Sequence, residues 1–581
     1  MEFESILVDI YGTGVFHMLY MVLCSISSFI GGLEIQTIIF MNYTPDFYCQ
    51  DLPDVSNVTI TWINKTLYDG LVNDRSVYSM NVNISNDTAI HQCWGMWKRT
   101  DTQEKVPFKC SNWTYDQTQM VNTVVTQFNL VCDQQFWVSW MEAAYLFFNA
   151  VGFVIAFVAD IIGRRTTFLA FSVWGIVICL ATPFANSPPL LFLLRCCRGL
   201  SSALSYIGIN LVSELVPVTH RAAFGNVYWI LWAFGYITCA GIAYLLQDWI
   251  TIRLWSCSFL IVYLTYPIFI YESPRWLCMH GRNKEALVIL KRIAWWNKAK
   301  LPADYFDRVD QFLHAEYAHH LGQATAEPEI LVLEKDTETV NEIKTCVKLR
   351  PRKRANNDVI DGSSDKCFDM LRFPNLRNRT LILCFMQSSI TIVYFGLVTD
   401  SSFALENIFL NVLMMGLMEV PTSFVGWWAS EHLGRRSSTS ILLILTGVTV
   451  LTTKLLGPAI PVLRSILALS GKFFITVAYC VSDLYISELY PTTIRNIGLF
   501  TVIAVAGVAS TVAPFVNKLN EINYYLPCLV YGTAAFVGTF SVYFFLPETK
   551  NCPLAQSVKQ SEEFVHGKEK EWCEKMQWMQ V

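Results

Sequence analysis

The stretch that decides the fold runs from Arg198 to Arg221 and reads RGLSSALSYIGINLVSELVPVTHR. It is an apolar segment of helical length that ends in a polar cluster, SELVPVTHR (213–221). A second copy of this cluster, SELYPTTIR (487–495), lies 274 positions later and is identical at six of nine positions. Such a repeat predicts a chain built from two similar halves.

Two further motif pairs recur at nearly the same spacing. The turn DIIGRR (160–165) matches EHLGRR (431–436) at an offset of 271, and Glu272 of ESP matches Glu548 of PETK at an offset of 276. Three pairs with almost one spacing predict two parallel six-helix repeats, related by an axis along the membrane normal. In such proteins the substrate site lies near the bilayer midplane, between the repeats.

The composition indicates a polytopic membrane protein. Of 581 residues, 53% are hydrophobic and 15% are charged, against about 25% charged in soluble proteins. The net charge of −4 says nothing about partners, and an acidic start predicts no cleavable signal peptide. Backbone groups in lipid must be paired, so the apolar runs are expected to be helices. Twelve runs reach the roughly 20 residues that a bilayer requires: 13–40, 139–160, 167–187, 189–216, 223–246, 250–271, 378–399, 403–430, 438–457, 460–486, 496–517 and 523–546.

These spans predict an all-α membrane protein with six parts. Within 272–377, residues 277–320 show the pattern of amphipathic helices, and 322–366 have the composition of a flexible linker. The expected parts are a cytosolic N-terminus with helix 1 (1–40), an extracellular loop domain (41–138), helices 2–6 (139–271), a cytosolic helical segment and linker (272–377), helices 7–12 (378–546) and a cytosolic tail (547–581).

The loop 41–138 has the features of an extracellular domain. It contains six N-x-S/T sequons within 71 residues, which indicate glycosylation: Asn42, Asn57, Asn64, Asn83, Asn86 and Asn112. Four cysteines in an oxidising compartment indicate two disulfides, and three pairings are possible: the residues are Cys49, Cys93, Cys110 and Cys132. We interpret the other 14 cysteines as packing residues.

The distribution of basic residues predicts the topology. The loop 41–138 has six Lys or Arg residues against ten Asp or Glu, whereas 272–377 has 18 Lys or Arg. Basic segments favour the cytosolic side of a membrane. We therefore expect a multi-pass protein of the cell membrane with 272–377 and, given twelve spans, both termini in the cytosol.

The duplicated polar motifs predict a latch at the cytosolic end of each half. Helix termini attract opposite charges, and Arg can pair bidentately with a carboxylate. The first cluster comprises Asp160, Arg164, Arg165, Glu214 and Arg221. The second comprises Glu431, Arg435, Arg436, Glu488 and Arg495. A purely topogenic role is the alternative, and the duplication argues against it.

Together these motifs resemble the major facilitator superfamily over essentially the whole chain. ESPRWL (272–277), ELYPTTIRNIG (488–498) and LPET (546–549) resemble its solute carrier 22 branch, the organic cation, anion and zwitterion transporters. TQFNLVCD (126–133) is similar to the TxWNLVCD of that branch, with Phe in place of Trp. At the start of the chain, His17 stands where the family has Gln. Within the branch, the sequence most resembles the organic cation transporters.

The resemblance implies a polyspecific plasma-membrane carrier that moves small charged organic molecules by alternating access of a rocker-switch type. Facilitative transport is expected, and exchange or ion coupling is left open. The resemblance implies no catalytic residue, no metal and no cofactor. The expected partners are the substrate and the lipid bilayer, with a monomer sufficient for transport.

Ionisable residues within the membrane are functional candidates because they are costly there. Three acids lie deep in the apolar runs, namely Glu34, Glu419 and Asp483, and Glu34 could equally face water near the outer end of its span. Three bases lie nearer predicted helix ends: Arg195, Arg464 and Lys472. Acids outnumber bases at depth, which favours a cationic or zwitterionic substrate.

The position that discriminates substrate charge in relatives is altered. Cation-transporting relatives have an Asp on the eleventh helix and anion transporters an Arg, whereas this sequence has Gly507. Asp483 lies on the tenth helix, where relatives contribute pocket residues, and it shares a helix face with Tyr479 and Cys480. We hypothesise that Asp483 is the counter-ion of the substrate. The structural alternative is an Asp bonded to Lys472 or to neighbouring hydroxyls.

Further pocket candidates follow from the resemblance. Glu419, in MEVP, matches an acid linked with substrate recognition, although a packing acid beside a Pro kink explains it equally well. Aromatic faces can bind organic cations, and packing is the alternative for each ring: Tyr228, Trp229, Trp232 and Tyr394. Two residues stand where cation transporters commonly have Trp, which makes the usual model cations doubtful substrates: Gln387 and Ser205.

Other functions compete with cation transport. Organic anions or carnitine-like zwitterions are the alternative substrates, and a transporter-fold sensor without turnover is a more remote alternative. No HExxH, GxSxG or P-loop pattern supports an enzyme. The basic run near Arg350 is short and does not support binding of nucleic acid.

Overall fold

Helices form most of the protein. A computed structural model describes residues 3–12, 14–50, 58–62, 93–99, 105–201, 204–320, 369–399, 405, 407–456, 460–491, 494–550 and parts of the tail between Cys552 and Cys573. Several expectations lie outside the described residues, namely those for Asn57, Asn64, Asn83, Asn86 and the linker 322–366.

The first half is built around the long helix α2. Small residues allow its close approach to α8, because a Cβ at Gly32 would collide with the carbonyl oxygen of Trp232. The helices of this half are α1 (Phe3–Tyr11), α2 (Val15–Asn42), α3 (Val124–Phe128), α4 (Phe136–Ile162), α5 (Arg164–Ala181), α6 (Pro188–Ser201), α7 (Leu204–Leu215), α8 (Val218–Leu246), α9 (Trp249–Phe259) and α10 (Tyr266–Phe269). Short 3₁₀ turns occupy Cys132–Gln134, Thr182–Phe184 and Leu260–Thr265.

The second half repeats this arrangement after a short helical segment. That segment contains α11 (Pro274–Met279), α12 (Asn283–Trp296) and α13 (Tyr305–His320). The second half contains α14 (Asp369–Arg372), α15 (Pro374–Thr399), α16 (Ile408–Leu433), α17 (Arg435–Leu455), α18 (Pro461–Leu489), α19 (Arg495–Ser510), α20 (Ala513–Lys518) and α21 (Leu526–Phe545), with a 3₁₀ turn at Leu519–Glu521 and α22 (Val558–Glu563) in the tail.

Ten helical segments within the described residues are long and apolar enough to cross a membrane. The two other predicted spans, 139–160 and 189–216, fall on α4 and on the successive helices α6 and α7. We call the end of the bundle that carries the loop 41–138 the loop side, and the end that carries the two GRR turns the turn side.

The loop 41–138 contains two small antiparallel sheets, one pairing β1 with β5 and one ordered β2-β3-β4. Two disulfides join Cys49 to Cys110 and Cys93 to Cys132, which selects one of the three possible pairings. The strands are β1 (Phe47–Cys49), β2 (Val58–Trp62), β3 (Trp94–Arg99), β4 (Lys105–Lys109) and β5 (Trp113–Tyr115).

One expected glycosylation site is contradicted by burial. Asn42 is the last residue of α2, its side chain is buried, and its amide Nδ2 donates to the Glu142 carboxylate at 2.9 Å. A glycan needs a free, exposed amide. The buried and hydrogen-bonded side chain of Asn42 therefore does not fit the predicted glycosylation. Asn112, in contrast, is exposed.

The interpretation of the remaining cysteines as packing residues is wrong for four of them. Cys179 is bonded to Cys257 within the first half, and Cys552 is bonded to Cys573 in the tail. An apolar neighbourhood is common to free and paired cysteines, so sequence context could not separate them.

The tail folds back onto the second half. The Glu562 carboxylate accepts the backbone N–H groups of Asn375 and Leu376, each at 2.8 Å, at the start of α15. The buried Arg379 guanidinium donates to Ser561 Oγ at 3.0 Å and to the backbone carbonyl of Phe564. These bonds satisfy helix-terminal and charged groups that would otherwise be buried without partners.

Candidate functional site

A cavity of about 390 Å³ lies between the two halves. The first half contributes residues of α2, α4 and α8, and the second half contributes residues of α15, α16 and α18. Its chemically notable lining residues are Tyr145, Asn149, Trp229, Trp232, Tyr394, Glu419, Thr422, Ser423, Ser430, Thr476, Tyr479, Cys480 and Asp483.

The cavity extends from the middle of the bundle toward the turn side. On α16 its lining runs from Glu419 to Ser430, three residues before the helix ends. On α18 it runs from Thr476 to Leu484, again near the turn-side end. A compartment that reaches one end of the bundle between two repeats is the geometry of a carrier site.

Glu419 is neutralised by a neighbouring base. Lys472 Nζ donates to Glu419 Oε1 at 2.9 Å and to Thr476 Oγ1 at 3.2 Å, and it lies 3.5 Å from the ring centroid of Tyr394. The hydroxyl of Tyr394 donates to the same carboxylate oxygen at 2.7 Å. Glu419 is therefore a paired, hydrogen-bonded carboxylate rather than a free counter-ion.

The same network joins the two halves. Tyr236 on α8 places its hydroxyl 3.2 Å from the Tyr394 hydroxyl on α15, so the chain of contacts crosses from the first half to Glu419 in the second. The sequence analysis did not identify Tyr236. The aromatic spacing from Trp229 through Trp232 to Tyr236, in steps of three and four, was the signal that could have found it.

Asp483 is the cavity carboxyl that has no basic partner among the described residues. Within the described residues its hydrogen-bond partner is the Gln387 amide, whose Nε2 donates to Oδ1 at 3.2 Å. Gln387 is held in turn by Ser482, whose Oγ donates to Oε1 at 2.8 Å. The alternative of an Asp483–Lys472 pair is wrong, because Lys472 bonds Glu419 instead.

An aromatic wall faces these carboxylates. The rings of Trp229 and Trp232 lie 6.0 Å apart in an edge-on arrangement, and the Tyr394 and Tyr479 rings lie 5.5 Å apart. Both pairs line the cavity. Such faces attract a cation by about 0.5–2 kcal/mol each.

Two predicted binding residues lie behind the cavity wall instead of on it. Tyr228 is buried against α2, with its hydroxyl 3.1 Å from Ser27 Oγ, and does not line the cavity. Gln387 is fully buried, does not line the cavity, and donates to the lining residue Asp483. Of the three α8 rings predicted to bind substrate, Trp229 and Trp232 line the cavity and Tyr228 does not. Tyr479 and Cys480 lie on its wall, as expected.

The count of acids and bases at depth was wrong. Glu34 does not face water: it is buried and pairs with Arg198 at 3.2 Å and with Arg253. Arg195 and Lys472 are also buried. The four buried bases outnumber the three acids at depth, so the argument for a cationic substrate has to come from pairing.

Gly507 marks a close contact between the halves. A Cβ built at Gly507 on α19 would lie 2.8 Å from the Cβ of Ala150 on α4. No side chain fits there in this conformation, so the position that carries a charge in relatives serves here as a helix–helix contact.

The turn-side motifs form matching clusters in both halves. In the first, Arg164 pairs with Glu214, and the Glu272 carboxylate accepts the backbone N–H groups of Arg164 and Arg165 at 3.0 and 3.1 Å. The glycine of each GRR turn has a positive φ, 113° at Gly163 and 89° at Gly434, which allows this sharp turn between helices.

The second cluster repeats these contacts. Arg435 pairs with Glu488 at 3.1 Å and with Glu431 at 3.2 Å. The Glu548 carboxylate accepts the backbone N–H groups of Arg435 and Arg436 at 2.8 and 3.2 Å. Arg165 and Arg436 correspond as well, since their Nη2 groups donate to the backbone carbonyls of Pro267 and Tyr543.

The latch prediction missed its two capping acids, Glu272 and Glu548, although both stood in motifs that the sequence repeats. The side chains of Asp160 and Arg221 lie outside what the structure describes. Burial lowers the pKa of the Arg495 guanidinium, and the nearby Glu488 carboxylate partly opposes this effect.

The two six-helix halves, the central cavity and the repeated turn-side clusters define a membrane carrier. The family described as "Sugar (and other) transporter" matches residues 95–320 and 322–559. The chain belongs to this family, and its fold is the major facilitator fold.

Curated relatives confirm the resemblance to the solute carrier 22 branch. The chain is 25% identical to organic cation/carnitine transporter 2 of Homo sapiens, over 94% of this chain and 91% of that protein. It is 27% identical to solute carrier family 22 member 2 of Homo sapiens, over 94% and 92%. It is 28% identical to a beta-alanine transporter of Drosophila melanogaster, over 80% and 70%.

Solved structures show the same fold. The inward open conformation of the xylose transporter XylE from E. coli superimposes with a TM-score of 0.57 at 13% identity, covering 92% of this chain and 97% of that one. A partially occluded inward open conformation of XylE gives 0.54 at 14% identity, covering 92% and 100%.

Proposed function

We propose that this protein moves small organic cations across the plasma membrane by alternating access, with Asp483 as the counter-ion. The observation that carries the proposal is the pairing of charges around the cavity. Two carboxylates line it, Glu419 and Asp483, and among the described residues only Glu419 has a basic partner. A carboxylate without a basic partner in a low-dielectric site favours a positively charged substrate.

The surroundings of Asp483 suit an organic cation. Trp229, Trp232 and Tyr479 offer apolar faces for its alkyl or aryl groups, while the carboxylate offers charge. The volume of about 390 Å³ accommodates a small molecule. The name of one human relative, organic cation/carnitine transporter 2, agrees with this substrate class.

The proposal includes an orientation of the bundle in the membrane. The loop side, with the exposed sequon at Asn112, faces the extracellular space, and the turn side faces the cytosol together with both termini. The cavity then extends toward the cytosol. The turn-side clusters hold the cytosolic helix ends of each half together while the halves rock.

Labelled uptake tests the proposal. Cells that express the chain are given matched panels of quaternary ammonium ions, carboxylates and zwitterions, with vector-transformed cells as the control. We expect saturable uptake of cations that other cations inhibit. Purified protein in proteoliposomes should exchange the same cations. Binding without any movement across the membrane would favour a sensor, and preferential uptake of carboxylates would contradict the proposal.

A zwitterion is the second candidate. Beside Asp483 the cavity carries the hydroxyls of Thr422, Ser423 and Thr476, which can donate to a carboxylate of the substrate. Asp483 would then bind the positive end. Equal uptake of a cation and of its carboxylate-bearing analogue would favour this candidate.

A further inference from the structure

The helix α12 has one buried and one exposed face. Its buried face, with Ala286, Leu290 and Ile293, joins the core of the first half. On the outward face Val288 is 63% exposed and Trp295 is 75% exposed, and Lys291 lies between them. The spacings of three and four residues place Val288, Lys291 and Trp295 along one stripe of the helix.

The end of α12 is fixed at the level where α2 enters the membrane. Asn297, which follows α12, accepts the backbone N–H of Phe16 at 2.8 Å and donates to the backbone carbonyl of Ile10 at 2.9 Å. The first turns of α2 expose apolar side chains suited to lipid, namely Val15, Met18, Leu19 and Val22. The exposed Trp295 therefore lies next to the boundary between lipid and water, where Trp is enriched.

Exposed charges on this segment are mainly basic. Glu285 is matched by Arg282 at 2.7 Å, which leaves an excess of positive charge. The exposed bases from the start of α12 to residue 300 are Lys284, Lys291, Arg292, Lys298 and Lys300. The next helix, α13, is acidic instead and contains Asp307 and Asp310.

We propose that α12 is an interfacial helix that binds anionic lipid headgroups of the turn-side leaflet. Val288 and Trp295 enter the headgroup region, and Lys291 and Lys298 bind its phosphates or carboxylates. Basic residues beside interfacial aromatics are the pattern that anionic membranes attract. A lipid surface is favoured over a protein partner because this face continues the apolar surface of α2.

Photo-crosslinking identifies what covers this face. The full chain in phosphatidylcholine–phosphatidylserine nanodiscs carries benzoylphenylalanine at position 295, and the adduct is identified by mass spectrometry. We expect a phospholipid adduct. The same probe at position 308, on α13, is the control and should give none. The absence of a lipid adduct at 295, or a lipid adduct of equal yield at 308, would overturn the proposal.

Thermal unfolding in nanodiscs tests the charge component. Phosphatidylserine should raise the unfolding midpoint of the wild-type chain above its value in phosphatidylcholine alone. The variant Lys291→Glu/Lys298→Glu should lose most of this shift, whereas Arg308→Glu should retain it. Equal shifts in all three proteins would overturn the proposal. Soluble glycerophosphoserine should not reproduce the shift, and if it does, the site binds a free anion and not a lipid surface.

Discussion

Lys472 and Asp483 lie eleven residues apart on α18, and their partners assign them different roles. Lys472 forms an ion pair with Glu419, whereas Asp483 accepts a hydrogen bond from the neutral side-chain amide of Gln387. A neutral donor leaves the carboxylate charge available to a ligand. The distinction is made by the positions of two side chains on other helices, α15 and α16, and not by α18 itself.

Removing the charge of Asp483 should weaken cation transport. A hydrogen bond to a charged group contributes about 1.5–3 kcal/mol, and about 1.4 kcal/mol corresponds to a factor of ten. We therefore expect Asp483→Asn to lower kcat/KM for a cation at least roughly tenfold. Initial uptake rates, normalised to surface expression, measure this effect.

The neighbouring lining residue Cys480 supplies the control for this experiment. Cys480→Ser changes the same wall without changing its charge, and uptake should stay within a few-fold of wild type. Asp483→Glu should restore part of the activity lost in Asp483→Asn. If Asp483→Asn retains wild-type uptake and KM, Asp483 is not the counter-ion.

At the level of single residues, candidate residues could be predicted from the sequence, but their partners could not. Asp483, Glu419 and Tyr394 could be identified because charged and aromatic residues in apolar runs are rare enough to notice. Pairing could not be predicted, since Glu34 and Arg198 are 164 positions apart. Contacts at such separations depend on how helices pack, and no local pattern contains that information.

Among the helices, the contact of α4 with α19 depends on the absence of a side chain. A methyl group at Gly507 would lie 2.8 Å from the Ala150 Cβ. Overpacking of this kind costs about 1–3 kcal/mol. We expect Gly507→Ala to lower the unfolding temperature and the uptake rate, because the two halves must separate slightly.

A compensating change makes this prediction specific. In Ala150→Gly/Gly507→Ala the lost methyl group makes room for the new one, so stability and uptake should return toward wild type. Ala150→Gly alone serves as the reference. If the double variant is no better than Gly507→Ala, a steric contact with Ala150 does not explain the defect.

Equivalent acids cap equivalent helices on the turn side. Glu272 and Glu548 each accept two backbone N–H groups at the start of α5 and α17. A cap of this type contributes about 0.5–2 kcal/mol, and a negative charge at a helix N-terminus adds to it. We expect Glu272→Gln and Glu548→Gln to lower the unfolding temperature by similar amounts.

The exposed Glu285 is the matched control for this pair. Glu285→Gln removes the same charge from a surface ion pair, which is worth little, so the unfolding temperature should hardly change. A large effect of only one of the two capping variants would contradict the equivalence of the turn-side clusters.

Over the whole molecule, the two-half architecture could be predicted because the sequence repeats its motifs at a nearly constant offset. The offsets of 271, 274 and 276 align the first half with the second and do not depend on where any helix begins or ends. The cavity followed in outline, as the space between the halves. Its wall could be predicted only in part: Trp229 and Trp232 on α8 line the cavity, whereas Tyr228, predicted with them, packs against α2.

Net charge movement is the prediction that belongs to the whole molecule. A monovalent cation that crosses without a co-transported ion moves one charge through the field, worth about 2.3 kcal/mol per 100 mV. In proteoliposomes, an inside-negative potential set by potassium and valinomycin should therefore increase cation accumulation, by up to about fifty-fold at 100 mV. A zwitterion carried by the same protein should not respond, because it moves no net charge. If cation accumulation does not change with the membrane potential, transport is electroneutral. That result would contradict uniport of a cation bound at Asp483.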